Sequence, residues 1–81
     1  MNTLLSSADP LLTAFAREVE SRISDARLIS LEIEPLSDRS GDDLQTTIRV
    51  LKASSRVCFI QGQVQIGDEP ILKARAIYRK K

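Results

Sequence analysis

LQTTIRVLKASSRVCFIQGQVQIGDEPILKARAIYR, residues 44–79, is the stretch that decides the fold. Its apolar residues recur at every second position, the period of a β-strand with one face buried and one wet. Leu44, Thr46, Ile48 and Val50 stand against Gln45, Thr47, Arg49 and Leu51. Ala53-Ser54-Ser55 makes a short hairpin connection. Cys58, Ile60, Gly62, Val64 and Ile66 then share one face, with Phe59, Gln61, Gln63 and Gln65 on the other. Gly67-Asp68-Glu69-Pro70 closes the next hairpin, and Leu72, Ala74, Ala76 and Tyr78 alternate with Lys73, Arg75, Ile77 and Arg79. The reading is a three-strand antiparallel meander at about 44–52, 56–66 and 71–79.

Working backwards, Ser37 to Asp43 reads as a polar loop, and a fourth strand at about 28–35 sets Ile29, Leu31 and Ile33 against Ser30, Glu32 and Glu34, with Pro35 limiting it. Before Ser24-Asp25-Ala26 the period changes to three and four residues. Leu4, Leu5, Ala8, Leu11, Leu12, Phe15, Val19 and Ile23 form one stripe of an amphipathic helix at about 4–23, and Arg17, Glu18, Glu20, Ser21 and Arg22 lie on its wet side. Two starts are open. In one, Asp9 caps the helix and Pro10 is its first residue; in the other, the helix is capped at Thr3 and Pro10 lies inside it, with a kink. One helix followed by antiparallel strands must lay its stripe on the apolar face of the sheet. The expected fold class is therefore α+β, a single two-layer domain over residues 1–81. Gly62, Ala74 and Ala76 are small where sheet meets helix; Gly62 has two readings, close approach of the helix or a β-bulge.

The chain has 81 residues, a net charge of +1 and 42% apolar residues. Surface scaling lets a chain of this size hide only roughly 63% of its unfolded surface, so the core is thin and self-association is expected. The charge is unevenly placed, −5 over residues 1–43 and +6 over 44–81. Such a split suits an anion-binding back half, or two halves that neutralise each other. There is no histidine, which excludes Ser-His-Asp and Cys-His catalysis and any imidazole metal site; no metal or cofactor is expected. The lone Cys58 reads as a small core residue, and a chain without an internal disulfide, a basic leader or a long apolar run is expected in the cytoplasm, off the membrane.

Residues 44–78 resemble the closing part of a hotdog-fold thioesterase domain, in the branch that includes the phenylacetyl-CoA thioesterases. The phrase from Arg49 to Val64 looks like that family's paired strands around a basic, small-residue turn, and Leu72-Lys73-Ala74-Arg75-Ala76-Ile77-Tyr78 like its closing strand. Leu31-Glu32-Ile33-Glu34-Pro35-Leu36 is similar to the strand after the central helix, and Leu4-Leu5-Ser6-Ser7-Ala8-Asp9 to the helix itself. The resemblance spans the helix and the last four strands; the family's opening strands and glycine-rich turn have no counterpart in these 81 residues. It implies cleavage or binding of acyl-CoA thioesters across a homodimer interface. It makes Asp9 the match for the catalytic carboxylate, and Lys52 and Arg56, with Arg39 as a weaker candidate, the matches for groups that meet the coenzyme A phosphates.

Two further functions are open. A non-catalytic module could dimerise, or recruit an anionic partner, through its basic half. Weak single-strand nucleic-acid binding ranks third: Lys73, Arg75, Arg79, Lys80 and Lys81 supply the charge, but Phe59 and Tyr78 are the only rings on the sheet. Lys73, Arg75 and Arg79 also read as a charged stripe that keeps the last strand, taken as an edge, from pairing with other chains.

Overall fold

The computed structural model describes residues 3–39 and 43–81, with side chains from Ala8 onward. Helix α1 (Thr3–Glu20) is followed by strands β1 (Ala26–Pro35), β2 (Leu44–Ala53), β3 (Val57–Ile66) and β4 (Glu69–Lys80). All pairings are antiparallel and the sheet order is β1-β4-β3-β2. The domain is thus α+β: a β2-β3-β4 meander with β1 added beside β4. The side chains of Leu4 and Leu5, and loop residues 40–42, lie outside the described part.

Of the two helix starts, the structure has the one that encloses Pro10, with Thr3 already helical. Pro10 sits inside α1, and Asp9 is an exposed residue of the helix interior, not its cap. Proline in a helix interior removes one backbone donor. At the other end, backbone bonds from Arg22 and Ile23 to the Val19 carbonyl (2.9 and 2.8 Å) carry the turn past Glu20. Asp25 then takes a left-handed conformation (φ 56), one that aspartate tolerates better than most residues. That turn sends the chain into β1.

The core forms where the helical stripe meets the strand alternation. Ala8, Leu11, Phe15, Val19 and Ile23 pack with Cys58, Ile60, Val64, Leu72, Ala74, Ala76 and Tyr78, all buried. The faces expected for β2, β3 and β4 are those observed. Gly62 marks the closest approach of helix and sheet. A methyl group there would lie 2.8 Å from Leu11 Cδ1 and 2.5 Å from the Thr47 carbonyl oxygen. The sheet's bulges fall elsewhere, so close approach and not a bulge accounts for this glycine.

Two expectations change. A bulge between Leu28 and Ser30 takes Ile29 out of the inward row, and it stands 49% exposed while Leu31 and Ile33 are half-buried. Alternation breaks wherever an extra residue enters a strand. Strand β4 is an interior strand, hydrogen-bonded to β1 and β3. Lys73, Arg75 and Arg79 face away from the helix, but they protect no edge; the edges are β1, interrupted by its bulge and ended by Pro35, and β2, bulged between Val50 and Lys52.

Candidate functional site

Antiparallel pairing gathers basic side chains at one end of the sheet. Lys52, next to the last residue of β2, stands opposite Phe59, and Arg56 lies in the turn before β3. Ser54 ties that turn: its backbone N–H donates to the Val57 carbonyl (2.8 Å), and its hydroxyl accepts from the backbone N–H groups of Arg56 (3.2 Å) and Val57 (3.1 Å). The Lys80 N–H donates to the Arg56 carbonyl (2.8 Å), so β4 ends against the same turn. Arg79 pairs with Val57 on one side and with Arg27 on the other. Arg27, Lys52, Arg56, Arg79 and Lys80 are all exposed there. Among the described residues none of the five makes an ion pair. A cluster of unneutralised cations on a rigid strand end raises the local concentration of anions.

Arg39 is not part of this cluster. It bonds Glu69 at 2.7 Å, Ser37 bonds the same carboxylate at 3.0 Å, and the backbone N–H groups of Leu36 and Ser37 donate to the Ile71 carbonyl. These bonds, that of Arg39 foremost and then that of Ser37, hold the Glu69 carboxyl below the usual carboxylate range. Arg39 thus clasps the loop after β1 to the β3–β4 turn. The length of β3 separates that turn from Arg56, about 30 Å at the usual rise per residue.

Asp9 lies in the front half of α1, on solvent. A groove of about 480 Å³ starts beside it at Pro10 and runs along Thr13, Ala14, Arg17, Glu18 and Ser21 of the helix against Thr46 and Ile48 of β2. On β2 the groove reaches Ile48 and stops short of Lys52, which the register places on the outward face of the sheet. Asp9 flanks its mouth without lining it. The outward face of the sheet carries a wider polar trough of about 750 Å³, crossed by Glu32, Arg75, Gln61 and Arg49.

Arg27 belongs to the acidic half of the sequence, and only the pairing of β1 with β4 brings it to the basic end. Arg79 reads along the chain as one member of a stripe; in the sheet it joins Arg56. No signal in the linear order marks Arg27, and Arg79 stands out only as part of the basic C-terminal run. No protein-family model matches the chain, and no curated protein matches it. Among the described residues no helix is long and apolar enough to cross a membrane.

Cys58 is fully buried, and burial pushes its thiol up from its ordinary range, with Arg22 opposing and Glu18 adding to the shift. A buried, neutral thiol is a poor nucleophile. Labelling of Cys58 by a thiol reagent at pH 8 should therefore be at least about a hundredfold slower than in denaturant, since it needs an opening of the core. Tyr78 is raised as well, chiefly by burial and secondarily by Cys58. Both groups are neutral in the folded state and ionise more readily when unfolded. Stability from this source is complete below about pH 9 and is lost as pH rises through the folded values. A denaturation midpoint that does not fall between pH 8.5 and 10.5 would contradict this.

Proposed function

We propose that the chain is a hotdog-like domain related to the acyl-CoA thioesterases, binding acyl-CoA-type molecules with its basic end on the coenzyme A phosphates and acting as an assembly of two copies. The observation that carries this reading is the convergence of Arg27, Lys52, Arg56, Arg79 and Lys80 at one end of the sheet. The two turn residues named by the family resemblance gain three cations that it did not name. The groove between α1 and β2 lends support: it offers an acyl or pantetheine chain a course along the helix from Ser21 to Pro10, next to the one carboxylate that the resemblance singles out.

Calorimetric titration with coenzyme A at low salt tests the reading. Lys52→Glu combined with Arg56→Glu should weaken binding at least tenfold, and Arg39→Glu, held in its clasp 30 Å or so away, should leave it within about twofold. Absence of binding to the wild type, or an equal loss from Arg39→Glu, would overturn the reading. Hydrolysis of a panel of acyl-CoAs by the wild type and Asp9→Ala then separates an enzyme from a binding protein. Turnover that Asp9→Ala abolishes makes Asp9 the carboxylate in use; turnover that it leaves unchanged removes Asp9 from that role.

The non-catalytic interaction module is the second reading, and the charge pattern on the sheet's outward face favours it. Weak nucleic-acid binding stays third, with Phe59 exposed and Tyr78 buried.

A further inference from the structure

The outward face of the sheet is organised in rows that run across all four strands. One row is Glu32, Arg75, Gln61 and Arg49, in the order β1-β4-β3-β2. The next toward the basic end is Ser30, Ile77, Phe59 and Lys52, flanked by Ile29 and Leu51, the extra residues of the two edge bulges. Phe59 is 38% exposed, Ile29 49% and Leu51 48%, so this row presents an apolar strip to solvent. Among the described residues the one ion pair across the face, Glu32 with Arg75, is long at 4.0 Å and its side chains are mostly exposed. Such a pair holds neither charge firmly, and Glu32 and Arg49 at the two edges are available to a partner.

We infer that this face docks on the same face of a second copy, about a two-fold axis parallel to the strands. That operation lays β1 of one copy over β2 of the other and maps each row onto itself in reverse order. Glu32 then faces Arg49 of the second copy, Arg75 faces Gln61, and Ile77 faces Phe59; each contact occurs twice, as an isologous interface requires. The alternative face-to-face axis, perpendicular to the strands, sets Glu32 against Glu32, Arg75 against Arg75 and Arg49 against Arg49. When that axis passes through this row, like charges oppose it. Four strands about 4.8 Å apart and about 33 Å long offer roughly 600 Å² per copy, and the pair about 1,200 Å², the lower bound of a standard specific interface. The trough supplies room for long polar side chains between sheets that stack about 10 Å apart. Because the axis runs along the strands, both basic ends point the same way.

This assembly depends on the sheet and not on coenzyme A, so failure to bind coenzyme A leaves it standing. Sedimentation velocity over a concentration series tests it, with exposed charges that the fold does not need. The wild type should dimerise. Glu32→Arg and Arg49→Glu should each weaken dimerisation at least tenfold, since each creates two like-charge contacts. An equimolar mixture of the two variants should restore it to within about threefold, because every Arg then meets a Glu. A wild type that stays monomeric while folded would overturn the inference. So would a dimer that ignores both variants, which would place the contact at the strand edges, or two variants that fail to rescue each other.

Discussion

Replacing Phe15 with alanine should lower the folding stability by about 3–5 kcal/mol, close to the whole margin of a chain this size. Phe15 lies in the middle of the buried helical stripe, between Leu11 and Val19, and is fully excluded from solvent. Its ring is the largest of the completely buried side chains. The described core is a single layer between one helix and one face of a sheet, so no second cluster can compensate for a void. Domains of about 80 residues have roughly 4–12 kcal/mol in total. Urea unfolding followed by circular dichroism should show Phe15→Ala largely or wholly unfolded at 37 °C, and Phe15→Leu intermediate. A Phe15→Ala midpoint within experimental error of the wild type would show that the helix does not dock on the sheet as described.

The second large effect is expected at Gly62. A β-carbon there would stand 2.5 Å from the Thr47 carbonyl oxygen, 2.8 Å from Leu11 Cδ1 and 3.1 Å from Ile48 Cγ2. The first contact is backbone of the neighbouring strand and cannot swing aside as the tip of a side chain can. Gly62→Val should therefore cost about 3 kcal/mol or more, by forcing helix and sheet apart. Gly62→Ala should cost somewhat less, the clash being partly offset by the lower chain entropy of alanine in the unfolded state. Gly67 is the control. It has φ 58, but a methyl group added there would meet nothing within 4 Å, so Gly67→Ala suffers backbone strain alone, of about 1 kcal/mol. Equal costs at the two glycines, measured by urea midpoints, would remove the close approach as the reason for Gly62.

What was legible in the sequence is what depends on local period. From Leu44 to Val50, along β3 and from Leu72 to Tyr78 the strands alternate, so these inward and outward residues could be assigned from residues 44–79 alone; Leu51 and the buried Ile71 are extra residues at register shifts and break the pattern. The helical stripe was equally plain, because three- and four-residue spacing over 16 residues from Ala8 to Ile23 fits no strand. What failed has physical causes. A bulge adds one residue without changing composition, so Ile29 looked like its neighbours Leu31 and Ile33. The partner of β1 is fixed by pairing across the whole chain, and with it went the interior place of β4 and the arrival of Arg27 at the basic end. Asp9-Pro10 carried a strong start signal, yet the apolar stripe begins before it and the helix follows the stripe. Of the four site candidates, Lys52 and Arg56 are brought together; Arg39 is held at the opposite end of the sheet, and Asp9 stands on the helix beside the groove.

We propose that the basic end of the sheet receives an anionic, coenzyme A-type ligand. Amide chemical-shift mapping during titration with free coenzyme A tests it most directly, since it reports every strand at once. Shifts should concentrate at Arg27, Lys52 to Val57 and Arg79 to Lys81 and fade as salt rises, with Arg39 and Glu69 unmoved. Shifts centred on the Arg39–Glu69 clasp, or none at the basic end at millimolar ligand and low salt, would contradict it.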